Sequence, residues 1–217
     1  MMERIASATV HGRYLVEAPE EPGPAPMLVG FHGYAEDAEI QMERLLALAA
    51  GGRWLCVSIQ GLHPFYRRAT GETVANWMTT LHREMAIADN IVYVKTCLDT
   101  VASEWQVMPG PVFAGFSQGV AMAYRAAVHS RIPAAGVIAV GGDIPPEIQA
   151  QELEGIGAVT ILRGKTDDWY TKEKFESDVL RLQTANLPFR ATEFEAGHVW
   201  SPEMTAVGSE FLRQLRP

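Results

Sequence analysis

Five short apolar runs, Met27 to Phe31, Trp54 to Ile59, Val112 to Phe116, Gly136 to Val140 and Val159 to Leu162, recur along the chain, with a Gly or Pro within two residues of one end. Each is too short for an ordinary helix, and several lack the alternation of a half-exposed strand, as expected of parallel strands buried on both faces. Helical stretches lie between them, at about Ala38 to Ala50, stopped by Gly51-Gly52, at about His82 to Trp105, and in the segment after Ser117. In the second, Leu81, Met85, Ala88, Val92 and Trp105 fall close to helical spacing and are expected to face the core. Thr171 is placed to cap a helix running to about Ala185, and Phe189 to Phe194 alternates like a less buried strand. Ser201-Pro202-Glu203 offers an N-cap followed by proline at the first helical position. Ile5 to Glu17 reads as a hairpin or one bent strand around His11-Gly12. The alternation predicts an α/β fold: a mostly parallel central sheet of about seven strands, helices on both faces, and functional groups at the C-terminal ends of strands.

At 217 residues and 47% hydrophobic, the chain is long enough for a substantial core, and residues 1–217 read as a single domain. No large lid insertion interrupts the pattern. The net charge of -8, with no lysine or arginine cluster, argues against a nucleic-acid surface and an anionic-membrane anchor. Cys56 and Cys97 lie in apolar stretches and read as buried, reduced thiols. The N-terminal residues lack the order of a signal peptide, and no apolar stretch approaches the length of a membrane span, so a cytoplasmic location is expected.

Gly115-Phe116-Ser117-Gln118-Gly119 joins the third apolar run to a helical stretch. A serine on such a strand-to-helix turn exposes its hydroxyl near a helix N-terminus, as in a nucleophile elbow. A serine hydroxyl needs a base, and the base needs an acid to orient it. His198, after Gly197 in a loop following the last strand-like segment, is the best-placed base. His129 belongs near the far end of the helix after the serine, and His11, His63 and His82 read as solvated. Two acids fit a Ser, acid, His order: Asp167, following the strand at 159–162, and Asp143, following the strand at 136–140; Asp167 is favoured and Asp143 stays open. Asp168 reads as a solvated neighbour. Acyl transfer also needs donors for an oxyanion. The backbone N–H of Gln118, after the serine, and of Tyr34, after Phe31-His32-Gly33, are the candidates; His32 itself reads as a structural hydrogen-bonder.

Taken together, His32-Gly33, the elbow at Ser117, Gly164-x-x-Asp167 and Gly197-His198 resemble the α/β-hydrolase superfamily, in its compact carboxylesterase, lysophospholipase and acyl-protein thioesterase-like branch. The resemblance spans nearly the full chain and implies an α/β-hydrolase fold with a Ser117, Asp167, His198 triad. In this branch the acid commonly stands three residues after a glycine, which favours Asp167 over Asp168. The similar dienelactone hydrolases carry cysteine at the elbow, where this chain has Ser117. The resemblance also implies that the irregular segment from Gln60 to Thr80 helps form a substrate groove, making Phe65, Tyr66 and Trp77 candidate substrate contacts.

Other chemistries lack their motifs. Gly164-Lys165-Thr166 ends like a phosphate-binding loop, but Val159 stands where that motif needs its first glycine. There is no H-E-x-x-H, no paired C-x-x-C, and no G-x-G-x-x-G after a strand, so neither metal nor cofactor is expected. The expected function is hydrolysis of a small-molecule acyl ester or thioester through a covalent acyl-enzyme. A noncatalytic hydrolase-fold protein that binds a ligand or partner is the alternative.

Overall fold

The computed structural model describes residues 1–215. In chain order its elements are β1 (Tyr14–Glu17), β2 (Met27–Phe31), α1 (Ala38–Ala49), β3 (Leu55–Ile59), β4 (His63–Tyr66), β5 (Thr73–Asn76), α2 (Arg83–Glu104), β6 (Val112–Phe116), α3 (Gln118–His129), β7 (Gly136–Val140), α4 (Ala150–Leu153), β8 (Val159–Gly164), α5 (Lys172–Thr184), β9 (Phe189–Phe194) and α6 (Pro202–Gln214). A seven-stranded sheet runs in the order β1-β3-β2-β6-β7-β8-β9. Only β1 is antiparallel to its neighbour. This is the mostly parallel α/β architecture that the alternation predicts.

Every residue of β2, β3, β6, β7 and β8 is buried, because helices cover both faces of the sheet. Successive side chains take opposite sides. Leu28, Cys56, Ala114, Ile138 and Leu162 pack with Leu45 and Leu48 of α1 and Phe211 and Leu212 of α6. Val29, Val57, Phe113, Val137 and Ile161 pack with Val101 of α2, Ala123 of α3 and Leu182 of α5. Cys56 and Cys97 are free and buried, and burial pushes their thiols up to about 12 and about 11. At the far end of the sheet from Ser117, an apolar cavity of about 110 Å³ opens beside Met27, Val94 and Pro111.

Three expectations need correction. Helix α2 buries Asn90, Val94, Cys97 and Val101, whereas Leu81, Met85 and Val92 are exposed and Trp105 is the C-cap. Both stripes have helical spacing, and the contact with α3 selects the one that carries Asn90, whose side-chain amide donates to the Trp77 carbonyl oxygen. Of Ile5 to Glu17, expected to form a hairpin or one bent strand, only Tyr14–Glu17 is a strand; it pairs with β3 at the sheet edge. The segment at 60–80, expected to be irregular, contains the hairpin β4-β5. The two stripes of α2 respond differently to truncation. Val101→Ala is expected to cost about 2 kcal/mol in urea unfolding, whereas Val92→Ala, at a side chain 65% exposed, changes stability by no more than about 0.5 kcal/mol.

Candidate active site

Ser117 joins β6 to α3 with φ 52° and ψ -120°, a backbone conformation that L-residues rarely adopt. Both flanking glycines are required by packing. A Cβ at Gly115 would lie 2.4 Å from the Gly119 carbonyl oxygen, and one at Gly119 would lie 2.1 Å from that of Phe31. The elbow is therefore pressed against the end of β2. The Ser117 N–H donates to Val140 O at 2.9 Å, tying the turn to β7 as well.

Loops after β8 and β9 bring two more groups to this point. Ser117 Oγ lies 2.8 Å from His198 Nε2, and His198 Nδ1 lies 2.8 Å from Asp167 Oδ2. A carboxylate only accepts, so Nδ1–H donates to Asp167, leaving Nε2 to accept from the serine hydroxyl. The Asp167 side chain is 1% exposed and that of His198 24%. The other carboxylate oxygen of Asp167 accepts from the N–H groups of Trp169 and Tyr170 at 2.8 and 2.9 Å. Buried Arg163 fastens the same loop, donating to the carbonyl oxygens of Tyr170 and Lys165. Asp143 instead faces Lys174 at 3.7 Å, and Asp168 is exposed.

The loop after β2 lies beside the elbow. His32 is buried; Nε2 accepts from the Gly61 N–H and Nδ1 donates to Gly33 O, so it is a neutral crosslink whose pKa burial lowers. Among the described residues, neither the Tyr34 nor the Gln118 backbone N–H has a protein acceptor. The Gln118 side chain instead braces the segment before α2, accepting from the Trp77 N–H and donating to Met78 O. Trp77, expected to touch substrate, is 0% exposed and donates its indole N–H to His32 O at 2.9 Å. It supports the loop from beneath and cannot line an open site. Phe65 packs its ring against Tyr34 at 5.5 Å between centroids, whereas Tyr66, on the opposite face of β4, is 76% exposed.

Sequence reasoning missed the group that joins these parts. Glu36 accepts from the Gly33 N–H at 2.8 Å and forms a two-pronged ion pair with Arg44 at 2.6 and 2.7 Å. The Arg44 guanidinium lies 4.5 Å over the Phe116 ring, and Phe116 stacks on His198 at 5.1 Å. Trp169, also missed, stands 6.4 Å from the imidazole. The available signals were weak: an acid and a base eight residues apart across a turn into a helix, and an aromatic two residues past the acid. No group of three or more His, Cys, Asp or Glu side chains is arranged to hold a metal among the described residues.

A model of the phospholipase/carboxylesterase family matches residues 73–215, well over half of the chain. The chain belongs to that family. Its solved structural neighbours have the same fold. A Bacillus cereus carboxylesterase superposes with a TM-score of 0.76 at 14% identity, covering 94% of this chain and 95% of that one. A Mesorhizobium loti carboxylesterase gives 0.74 at 16% identity, with the same 94% and 95% covered. Zea mays acyl-protein thioesterase 2 gives 0.69 at 17% identity, covering 94% and 99%. No curated protein matches the chain. Membership makes this an α/β-hydrolase of the carboxylesterase type. Among the described residues, no helix is long and apolar enough to cross a membrane.

The Glu36–Arg44 pair carries a pH signature. Burial opposes the Glu36 charge, but the Arg44 guanidinium and the Gly33 N–H outweigh it and hold the carboxyl below its ordinary range. Such a group binds fewer protons folded than unfolded, so its stabilisation is complete above the unfolded value and is lost as pH falls through the folded one. Glu36→Gln is expected to cost about 2 kcal/mol at neutral pH and to lose less further stability on acidification than the wild type. Urea unfolding at a series of pH values measures both effects.

Proposed function

We propose that this family member is a serine hydrolase cleaving carboxylic esters, and with the same groups thioesters, through a covalent acyl-enzyme on Ser117. The observation that carries this reading is the unbroken relay from Ser117 Oγ through His198 to buried Asp167, with both bonds at 2.8 Å, beside two unengaged backbone N–H groups. In the proposed sequence His198 Nε2 takes the serine proton as Oγ attacks the acyl carbon. The N–H groups of Tyr34 and Gln118 receive the oxyanion, and Asp167 holds the imidazole and stabilises its charged form. Collapse of the adduct expels the alcohol or thiol, which leaves with the proton from Nε2. Water then repeats the attack with His198 again as base, returning free serine and a carboxylic acid.

The strained, glycine-flanked turn supports the nucleophile assignment, because a backbone held in a rare conformation is retained where position matters. In this reading the chain acts as one catalytic domain without a large lid, in the cytoplasm, on a small-molecule acyl ester or thioester. A fluorophosphonate probe tests it. The wild type is expected to be labelled once and Ser117→Ala not at all, whereas His198→Ala and Asp167→Asn lose about ten-thousand-fold in kcat on p-nitrophenyl esters. Undiminished labelling of Ser117→Ala removes the nucleophile. Neither labelling nor turnover by the wild type would leave a noncatalytic binding protein.

A further inference from the structure

Trp169 is 74% exposed although it is the largest apolar side chain type and stands beside the candidate catalytic histidine. Its backbone is not free: the N–H donates to Asp167 Oδ1 at 2.8 Å, so the indole is displayed from the same turn that holds the acid. The imidazole thus has a buried ring, Phe116, stacked on it at 5.1 Å, and an exposed ring, Trp169, at 6.4 Å toward solvent. Val199, next to the histidine in sequence, adds a second exposed apolar group.

The chemistry of acyl transfer gives this position a meaning, on the reading of Ser117 and His198 given above. The acyl oxygen turns toward the N–H groups of Tyr34 and Gln118, while the leaving oxygen must come within reach of His198 Nε2 to take its proton. Tyr34, with Phe65 packed on its ring, therefore belongs to the oxyanion side, and Trp169, 6.4 Å from the imidazole, stands near the ring that protonates the departing alcohol. Asp168, next to Trp169 in sequence, is an exposed carboxylate. An aromatic platform with a carboxylate next to it in the chain favours a neutral, flat apolar group over an anionic one.

We propose that Trp169 is a specificity-determining residue for the leaving group, stacking on the alcohol portion of aryl or arylalkyl esters. Reaction of such an ester leaves the acyl group on Ser117 Oγ and releases the neutral alcohol from the Trp169 face. Trp169→Ala keeps the backbone N–H to Asp167, so the relay remains intact.

Benzyl and methyl butyrate share an acyl group, and their alcohols are not activated, so the ratio of kcat/KM between them isolates the leaving-group contact. Trp169→Ala is expected to lower that ratio about tenfold, with most of the ratio restored in Trp169→Phe. Across methyl esters from acetate to octanoate the dependence on acyl length stays that of the wild type. An equal loss on benzyl and methyl esters, or a change that follows acyl length, overturns the assignment. Fluorophosphonate labelling of Ser117 in Trp169→Ala separates the two proposals: retained labelling with an unchanged benzyl-to-methyl ratio rejects the role of Trp169 alone, whereas labelling that persists in Ser117→Ala rejects the underlying site.

Discussion

The approach of α3 to the end of β2 is the constraint on which the rest of the site depends. At Gly119 the backbones are so close that even a methyl group would fall within 2.1 Å of the Phe31 carbonyl oxygen. The helix starts there with Ser117 at a positive φ, and the serine hydroxyl faces His198 in the loop after β9. The same contact puts the Gln118 N–H beside the loop that carries Tyr34. The proposed nucleophile and oxyanion donors are thus brought together by one packing contact between a strand end and a helix start.

What surrounds the elbow is mostly fixed by buried polar groups that serve backbone. Trp77 and the Gln118 side chain hold the loop after β2 and the segment before α2; Arg163 and Asp167 hold the loop after β8. The Glu36–Arg44 pair reaches across, since Arg44 covers the ring that stacks on His198 while Glu36 holds Gly33. Each bond replaces water that a buried N–H or C=O would otherwise lose, which makes the loops rigid where reacting groups need fixed positions.

The parts legible in the sequence are those where burial leaves little choice. Strands β2, β6 and β7 run between the residues expected for them, because a continuous apolar run with Pro or Gly next to one end has few alternatives inside a covered sheet. Ser117, His198 and Asp167 could be named because each follows a strand, and parallel strands bring their C-terminal ends to one edge. Helix α2 defeated the pattern because two of its faces have the same spacing, and only the neighbour it packs on decides between them. In the sequence Trp77 reads as a pocket aromatic, yet its indole N–H answers a buried carbonyl group, a partner that local sequence does not reveal. Glu36 and Arg44 were missed for the same reason: their significance comes from Gly33 and Phe116, brought near them by the fold.

The central claim is that Ser117 carries the acyl group between two chemical steps. Intact-mass spectrometry after mixing the enzyme with p-nitrophenyl trimethylacetate, whose bulky acyl group deacylates slowly, tests it most directly. A covalent role for Ser117 predicts one added trimethylacetyl group per chain, mapped by peptide sequencing to that serine, together with a burst of one equivalent of p-nitrophenol. Turnover of that ester with the acyl group found on another residue would contradict it.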